Sequence, residues 1–249
     1  MTAKVQARQA VKGVAARTGV LEPSQRVRAA LAPAWERRKR RDHDVLGPLM
    51  AAVLDRDSRC VDAGAHRGAV LELMVELAPD ARHLAFEPIP HLADDLRDRF
   101  DGVDVHQAAL ADTVGSVTFQ YFPAHADSSG IQPLAHLSEA QAIEVPTTTL
   151  DEALDREPGP VRFLKIDVEG AELAMVRGAR ETLAADRPVV VFEHTRAAVM
   201  NGTSSSELHD ELTSVGLRVF SFDAQGPLAR TDFEHLVMHE RHENFIARP

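Results

Sequence analysis

The chain has 249 residues, 44% of them hydrophobic and 27% charged, with a formal net charge of −10. This is ordinary globular composition, which excludes a collagen, a coiled-coil rod and a wholly disordered chain; no apolar run reaches the roughly 18–20 residues of a membrane span. Residues 1–41 carry eleven basic and two acidic residues and the rest seventeen and thirty-six, so a +9 arm adjoins a −19 body that is a poor nucleic-acid binder.

Residues 1–44 are expected to form a basic helical extension. Val5, Val11, Val14 and Ala15 fit one helix face and Val27, Leu31, Ala34 and Trp35 another, with Pro23 and Ser24 between them. The run Glu36–Arg41 is the densest in charge and reads as a solvated helix face. The second expected unit, 45–249, opens on an apolar helix over 45–54. Strand 59–64, helix 70–78, strand 83–87, helix 90–100 and strands 103–107 and 115–122 follow. Residues 123–140, with His125, Asp127, Ser128, Ser129 and His136, read as a polar loop that could cover an acceptor. Pro146 places the extended segment 143–147 at a sheet edge. Strand 161–166, one helix over 171–184, strand 188–192, helix 205–215 and strands 217–222 and 243–247 complete the chain. Such alternation implies an α/β fold with a mostly parallel sheet covered on both faces. Cys60 is the only cysteine and sits inside a strand, so a reducing cytoplasm is the expected setting. The first residues hold no apolar core of a secretion signal.

Sheets of this kind bind ligands outside the carboxyl ends of their strands. The first such loop is Asp62-Ala-Gly64-Ala-His66-Arg-Gly68. Its glycines allow a tight turn and a close backbone approach before a helix N-terminus. The dinucleotide pattern would need glycine where the chain has His66 and Ala69, which weakens a nicotinamide oxidoreductase. The placement of Asp62 suits a cationic sulfonium amino acid better than a pyrophosphate. Glu87 ends the second strand, where a carboxylate can accept both hydroxyls of a ribose. Gln107 and Asp112 follow the third, where an adenine would lie.

Val61–Gly68, Phe86–Pro88, Ala108–Asp112, Thr148–Asp151, Leu164–Glu172 and Val190–Glu193 together resemble the FkbM family of S-adenosylmethionine-dependent methyltransferases. The run Lys165-Ile-Asp-Val-Glu-Gly-Ala-Glu172 is the most specific piece, and residues 1–44 lie outside the resemblance. The resemblance implies a class I methyltransferase sheet, Rossmann-like, with seven strands and the last antiparallel. It implies S-adenosylmethionine as cofactor and a hydroxyl as acceptor. Carried over, Asp62, Gly64 and Gly68 line the methionine side, Glu87 holds the ribose, Gln107 and Asp112 lie near adenine, and His66 counts among the cofactor-binding positions. Family loops commonly carry Asn where this chain has His66. Asp62→Ala and Gly64→Val are expected to abolish cofactor binding in a folded protein.

Asp167 and Glu169 leave the fourth strand, and Glu193 and His194 the fifth. A sugar or alkyl hydroxyl is a poor nucleophile until a base or metal takes or polarises its proton. Asp167, Glu169 and His194 are the candidate catalytic groups. Asp167, Glu193 and His194 are the candidate ligands of a hard divalent ion such as Mg²⁺; a metal-free base cluster is the alternative. Family acceptors include sugars of glycolipids and polysaccharides and polyketide hydroxyls. With only 5% aromatic residues, the chain favours a saccharide over a polyketide. A non-catalytic scaffold acting through the basic arm is the alternative of another class. No membrane insertion is expected, and a homodimer is one expected role for the arm.

Overall fold

The computed structural model describes residues 45–122, 130, 141–155, 159–239 and 242–249. The expectations for the arm and for 123–140, Gly130 aside, fall outside these residues. Residues 45–53 are helical (α1). Next come β1 (Arg59–Ala63), α2 (Ala69–Leu77), β2 (His83–Phe86), α3 (Pro90–Arg99) and β3 (Val103–His106). Then follow β4 (Ala109–Leu110), β5 (Gly115–Tyr121), β6 (Gln141–Thr148), α4 (Leu150–Asp155) and β7 (Val161–Ile166). The rest is α5 (Glu172–Arg177), α6 (Arg180–Asp186), β8 (Val189–Glu193), α7 (Arg196–Met200), α8 (Ser205–Ser214), β9 (Arg218–Ser221), α9 (Arg230–Met238) and β10 (Asn244–Arg248).

Seven strands form the main sheet in the order β3-β2-β1-β7-β8-β10-β9. The β1–β2, β2–β3, β1–β7 and β7–β8 pairs are parallel, while β10 runs antiparallel to both its neighbours. This is the class I methyltransferase arrangement. The chain steps outward from β1 to β3 and later returns to the other side of β1 with β7. The switch point, where loops diverge and leave a crevice, therefore lies between β1 and β7. The central strands are apolar nearly throughout because both faces are covered: Val61, Phe163, Leu164, Val190 and Phe192 are all buried. Among the described residues no helix is long and apolar enough to cross a membrane.

Two expectations need correction. The helix expected over 171–184 breaks into α5 and α6 at Gly178, where a Cβ would stand 2.0 Å from Ala111 O. The chain after β4 is seated there, and only glycine permits it. The segment around Pro146 is not an edge strand but the middle of a three-stranded sheet, β4-β6-β5. Pro146 faces Ser116 of β5, while β4 accompanies β6 only at Thr147 and Thr148. A residue without an N–H thus has a ladder on one side only, which is the local condition of an edge. The inner face of this sheet packs Phe119 and Val145 on Ile89 and Leu92, beside α3.

Candidate active site

Strand register decides which side chains meet. Asp62 pairs with Lys165, Lys165 with Val191, and Ile166 with Phe192. Partners in a parallel ladder project to the same face, and successive residues alternate. Asp62, Lys165, Asp167 and Glu193 therefore share one face at the carboxyl ends of three adjacent strands. The loop after β1 is held there by backbone bonds. Gly64 N–H donates to Phe86 O at 2.9 Å, and Asp167 N–H donates to Ala63 O at 2.9 Å.

Asp62 is only 2% exposed, and its Oδ2 has no hydrogen-bond partner. Burial raises its pKa to about 7; Asp167 and Glu87 push the same way, against the lowering effect of Lys165. Lys165 is 6% exposed and lies 3.1 Å from Asp167 Oδ2. Burial works against its ammonium, but Asp167, Glu193 and Asp62 outweigh that and leave its pKa raised. Glu87 accepts the backbone N–H of His66 at 2.7 Å and of Ile89 at 2.8 Å, one on each oxygen. Burial nonetheless raises its pKa to about 7. Two of roughly four lone-pair sites on its carboxylate are thus used.

Ligand oxygens of Asp167, Glu169 and Glu193 lie within 4.8 Å of one another. Burial holds the Glu193 carboxyl well above the usual carboxylate range, reinforced by Asp167, which also hydrogen-bonds to it, and by Glu169. Such a cluster wants a proton or a cation. Glu169 reaches it from a left-handed backbone, φ +49°, followed by Gly170 at φ +92°. Gly130 backs this turn: a Cβ there would stand 2.9 Å from Glu169 O, and Gly130 is tied to Gln120 of β5 by two backbone bonds.

The structure brings Asp62, Gly64, Glu87, Asp167, Glu169 and Glu193 to this end of the sheet. His66 contributes its backbone N–H to Glu87 from a left-handed conformation, φ +47°. Gln107 follows His106, whose carbonyl accepts the Glu87 N–H at 3.0 Å, so it stands beside Glu87. Asp112 is exposed and its backbone abuts the α5–α6 junction, its Cα 3.3 Å from where a Gly178 Cβ would stand. Gly64 and Gly68 carry positive φ and also serve packing: a Cβ would stand 1.9 Å from Asp167 O at Gly64 and 2.8 Å from Leu96 Cδ2 at Gly68. Gly64→Val therefore disrupts the fold as well as the loop.

His194 is the main correction. It follows Glu193 and so turns to the opposite face, where it is 0% exposed. Its Nδ1 faces Glu172 Oε2 at 3.4 Å, its Nε2 faces Ser205 Oγ at 2.9 Å, and its ring stacks on Phe233. It joins neither the metal candidates nor the groups that can touch an acceptor. The third carboxylate beside Asp167 and Glu193 is Glu169. Lys165 was missed by motif reading. Its signal is parity, since it lies two residues before Asp167 and is the charged residue in the buried part of the strand, Phe163–Ile166.

Residues 62–219 match the Methyltransferase FkbM domain family. The chain is 29% identical over 159 residues to Methyltransferase sdnD of Sordaria araneosa, covering 49% of this chain and 60% of that protein. It is 30% identical over 151 residues to 2-O-methyltransferase NoeI of Sinorhizobium fredii, covering 53% of this chain and 61% of that protein. It therefore spans about three-fifths of the curated relatives it matches. The FkbM methyltransferase of Methylobacillus flagellatus superposes with a TM-score of 0.50 at 16% identity, over 80% of this chain and 45% of that one, and shares the fold. With its matched region covering the glycine loop and the carboxylate-bearing strand ends, the chain belongs to the FkbM methyltransferase family.

Proposed function

We propose that the protein transfers a methyl group from S-adenosylmethionine to a hydroxyl of a sugar, in an oligosaccharide, polysaccharide or glycolipid precursor. The convergence of Asp167, Glu169 and Glu193 at the ends of β7 and β8, one and two strands over from β1, which carries the glycine loop, supports this reading. The residues present fit the cofactor. The buried Asp62 Oδ2 has no hydrogen-bond partner and can accept from the cationic amino group that a methionine moiety offers. Bound there, the cofactor supplies an electrophilic methyl on a cationic sulfur. Asp62 meets the cationic amino-acid part, Glu87 takes the ribose hydroxyls on its unused lone pairs, and Gln107 stands at the adenine side. Gly64, Gly68 and the His66 backbone shape the loop.

On the acceptor side the carboxylates divide the work. Lys165 neutralises Asp167, and Glu193 holds a proton shared with Asp167. Glu169, whose carboxylate lies with theirs, accepts the proton of the attacking hydroxyl. As the oxygen–carbon bond forms, the carbon–sulfur bond breaks and the proton stays on the carboxyl group. Alignment supplies much of the acceleration in such an in-line displacement. Acidic groups and few aromatics suit a hydrated, polyhydroxylated, uncharged acceptor, and the name of the Sinorhizobium relative specifies O-methylation. A polyketide hydroxyl is the runner-up acceptor, and a non-catalytic scaffold would leave this cluster without a purpose.

Titration calorimetry with S-adenosylhomocysteine and with NAD tests the cofactor. Labelled-methyl transfer to a panel of neutral hexose, deoxyhexose and amino-sugar oligosaccharides tests the acceptor. NAD binding without S-adenosylhomocysteine binding would overturn the reading. A second reading rests on the same trio: Asp167, Glu169 and Glu193 could ligate Mg²⁺. Lys165 already occupies an Asp167 oxygen, which favours the metal-free form. Turnover lost in EDTA and restored by Mg²⁺ would select the metal form. The setting is proposed as cytoplasmic, with no nucleic-acid partner for the acidic body.

A further inference from the structure

The turn that carries Asp167 and Glu169 is held from the opposite face of the sheet. Both backbone groups of Gly170 are engaged. Its N–H donates to Glu172 Oε1 at 2.7 Å, and its carbonyl accepts from Thr203 Oγ1 at 2.6 Å. The other Glu172 oxygen takes the Nδ1–H of His194 at 3.4 Å, and Ser205 Oγ–H donates to His194 Nε2 at 2.9 Å. A carboxylate only accepts, which puts the ring proton on Nδ1. The His194 backbone is fixed as well, its N–H donating to Glu243 O at 2.7 Å. Glu172, Thr203, Ser205 and His194 are all buried. The clamp thus links α5, the end of β8 and the start of α8 to one peptide. Glu169, next to that peptide, sits at φ +49°. A non-glycine residue in that region persists only where its surroundings over-determine it, and the clamp provides that determination.

We propose that His194, Glu172, Thr203 and Ser205 are positioning residues that act through Gly170 to aim Glu169 at the acceptor hydroxyl without touching substrate. This rests on the function proposed above. Misplacing a reacting group by an ångström costs on the order of 10²-fold in rate. A positioning role therefore lowers kcat and spares cofactor binding.

Three variants test it: Thr203→Val, Glu172→Ala and Glu172→Gln. In Glu172→Gln the amide oxygen still accepts from Gly170. Its NH₂ donates to His194 Nδ1 once the ring proton moves to Nε2 and points at Ser205 Oγ. Hydrogen–deuterium exchange across residues 167–171 reads the clamp without turnover. Exchange should speed up at least about tenfold in Glu172→Ala and Thr203→Val and stay near wild type in Glu172→Gln. On the oligosaccharide panel kcat should fall roughly 10–100-fold in the first two variants, with acceptor KM and S-adenosylhomocysteine affinity within about twofold, and recover in Glu172→Gln. Unchanged exchange in both Thr203→Val and Glu172→Ala overturns the clamp. Faster exchange with unchanged kcat overturns its positioning role. If the wild-type chain binds no S-adenosylhomocysteine, the proposed function falls, while exchange at Gly170 still decides the clamp.

Discussion

Asp62 and Glu87 titrate near 7 in the folded chain, against 3.8 and 4.5 for the free groups, because both are buried. The unfolded chain releases these protons first as pH rises, so their contribution to stability falls between about pH 4 and pH 7. A bound cation offsets that loss. The thermal shift given by a fixed excess of S-adenosylmethionine should therefore grow from pH 6 to pH 8, and this growth should shrink in Asp62→Asn. The same variant should weaken cofactor binding by roughly 10–100-fold, the worth of a charge-assisted hydrogen bond at about 1.5–3 kcal/mol; calorimetry measures it. His83 runs the other way. Its Nδ1 accepts the Cys60 N–H at 3.2 Å and its Nε2 faces Ala78 O at 3.0 Å, so the ring must be neutral. Burial lowers its pKa below 6.5, with Arg59 adding to this and the bond to Ala78 opposing it. The unfolded chain takes up the proton first as pH falls, so this contribution is complete above about pH 6.5 and lost below it. Urea unfolding at stepped pH should show an acid-side loss of stability that His83→Gln reduces.

At the scale of elements, the order of strands and helices was legible because buried parallel strands read as apolar runs separated by loops. What escaped depends on contacts distant in sequence. Nothing near Gly178 announces that Ala111 will be seated on it, so α5 and α6 read as one helix. Gly178→Ala should lower the unfolding free energy by about 1–3 kcal/mol through overpacking, although alanine favours helix; denaturant midpoints measure it. The two residues of β4 are too few to signal a strand, so Pro146 looked like an edge. His194 is different, for the sequence held the answer. Neighbours on an extended strand face opposite ways, so Glu193 and His194 cannot both meet one acceptor oxygen. Asp167 and Glu193 were found by motif and brought together by register. Glu169 joins them only through a left-handed turn that no local pattern foretells.

Over the whole molecule, the body from residue 42 onward carries −19. That field repels polyanions at low salt and suits an uncharged acceptor. Residues 47–249 form one compact unit with the sheet and the candidate site inside it. A chain beginning at residue 45, which keeps all of α1, should keep its melting temperature within a few degrees and its S-adenosylhomocysteine affinity within about twofold. Light scattering and transfer to the oligosaccharide panel would then read what the +9 arm does. We expect its loss to change assembly or acceptor use; unchanged mass and activity would leave it a solvated appendage.

Among the described strands β10 comes last in chain order, yet it lies between β8 and β9. During synthesis β2, β3 and β7 can pair as they emerge, each beside a partner already made. β8 joins them but keeps an open edge, and β9 has nothing to pair with until β10 arrives. Asn244 is the partner of Glu193 in that ladder. The half of the sheet that carries the glycine loop can thus assemble on the ribosome, where chains fold from the N-terminal side. The half that ends in Glu193 waits, its edge exposed, until β10 threads between its neighbours.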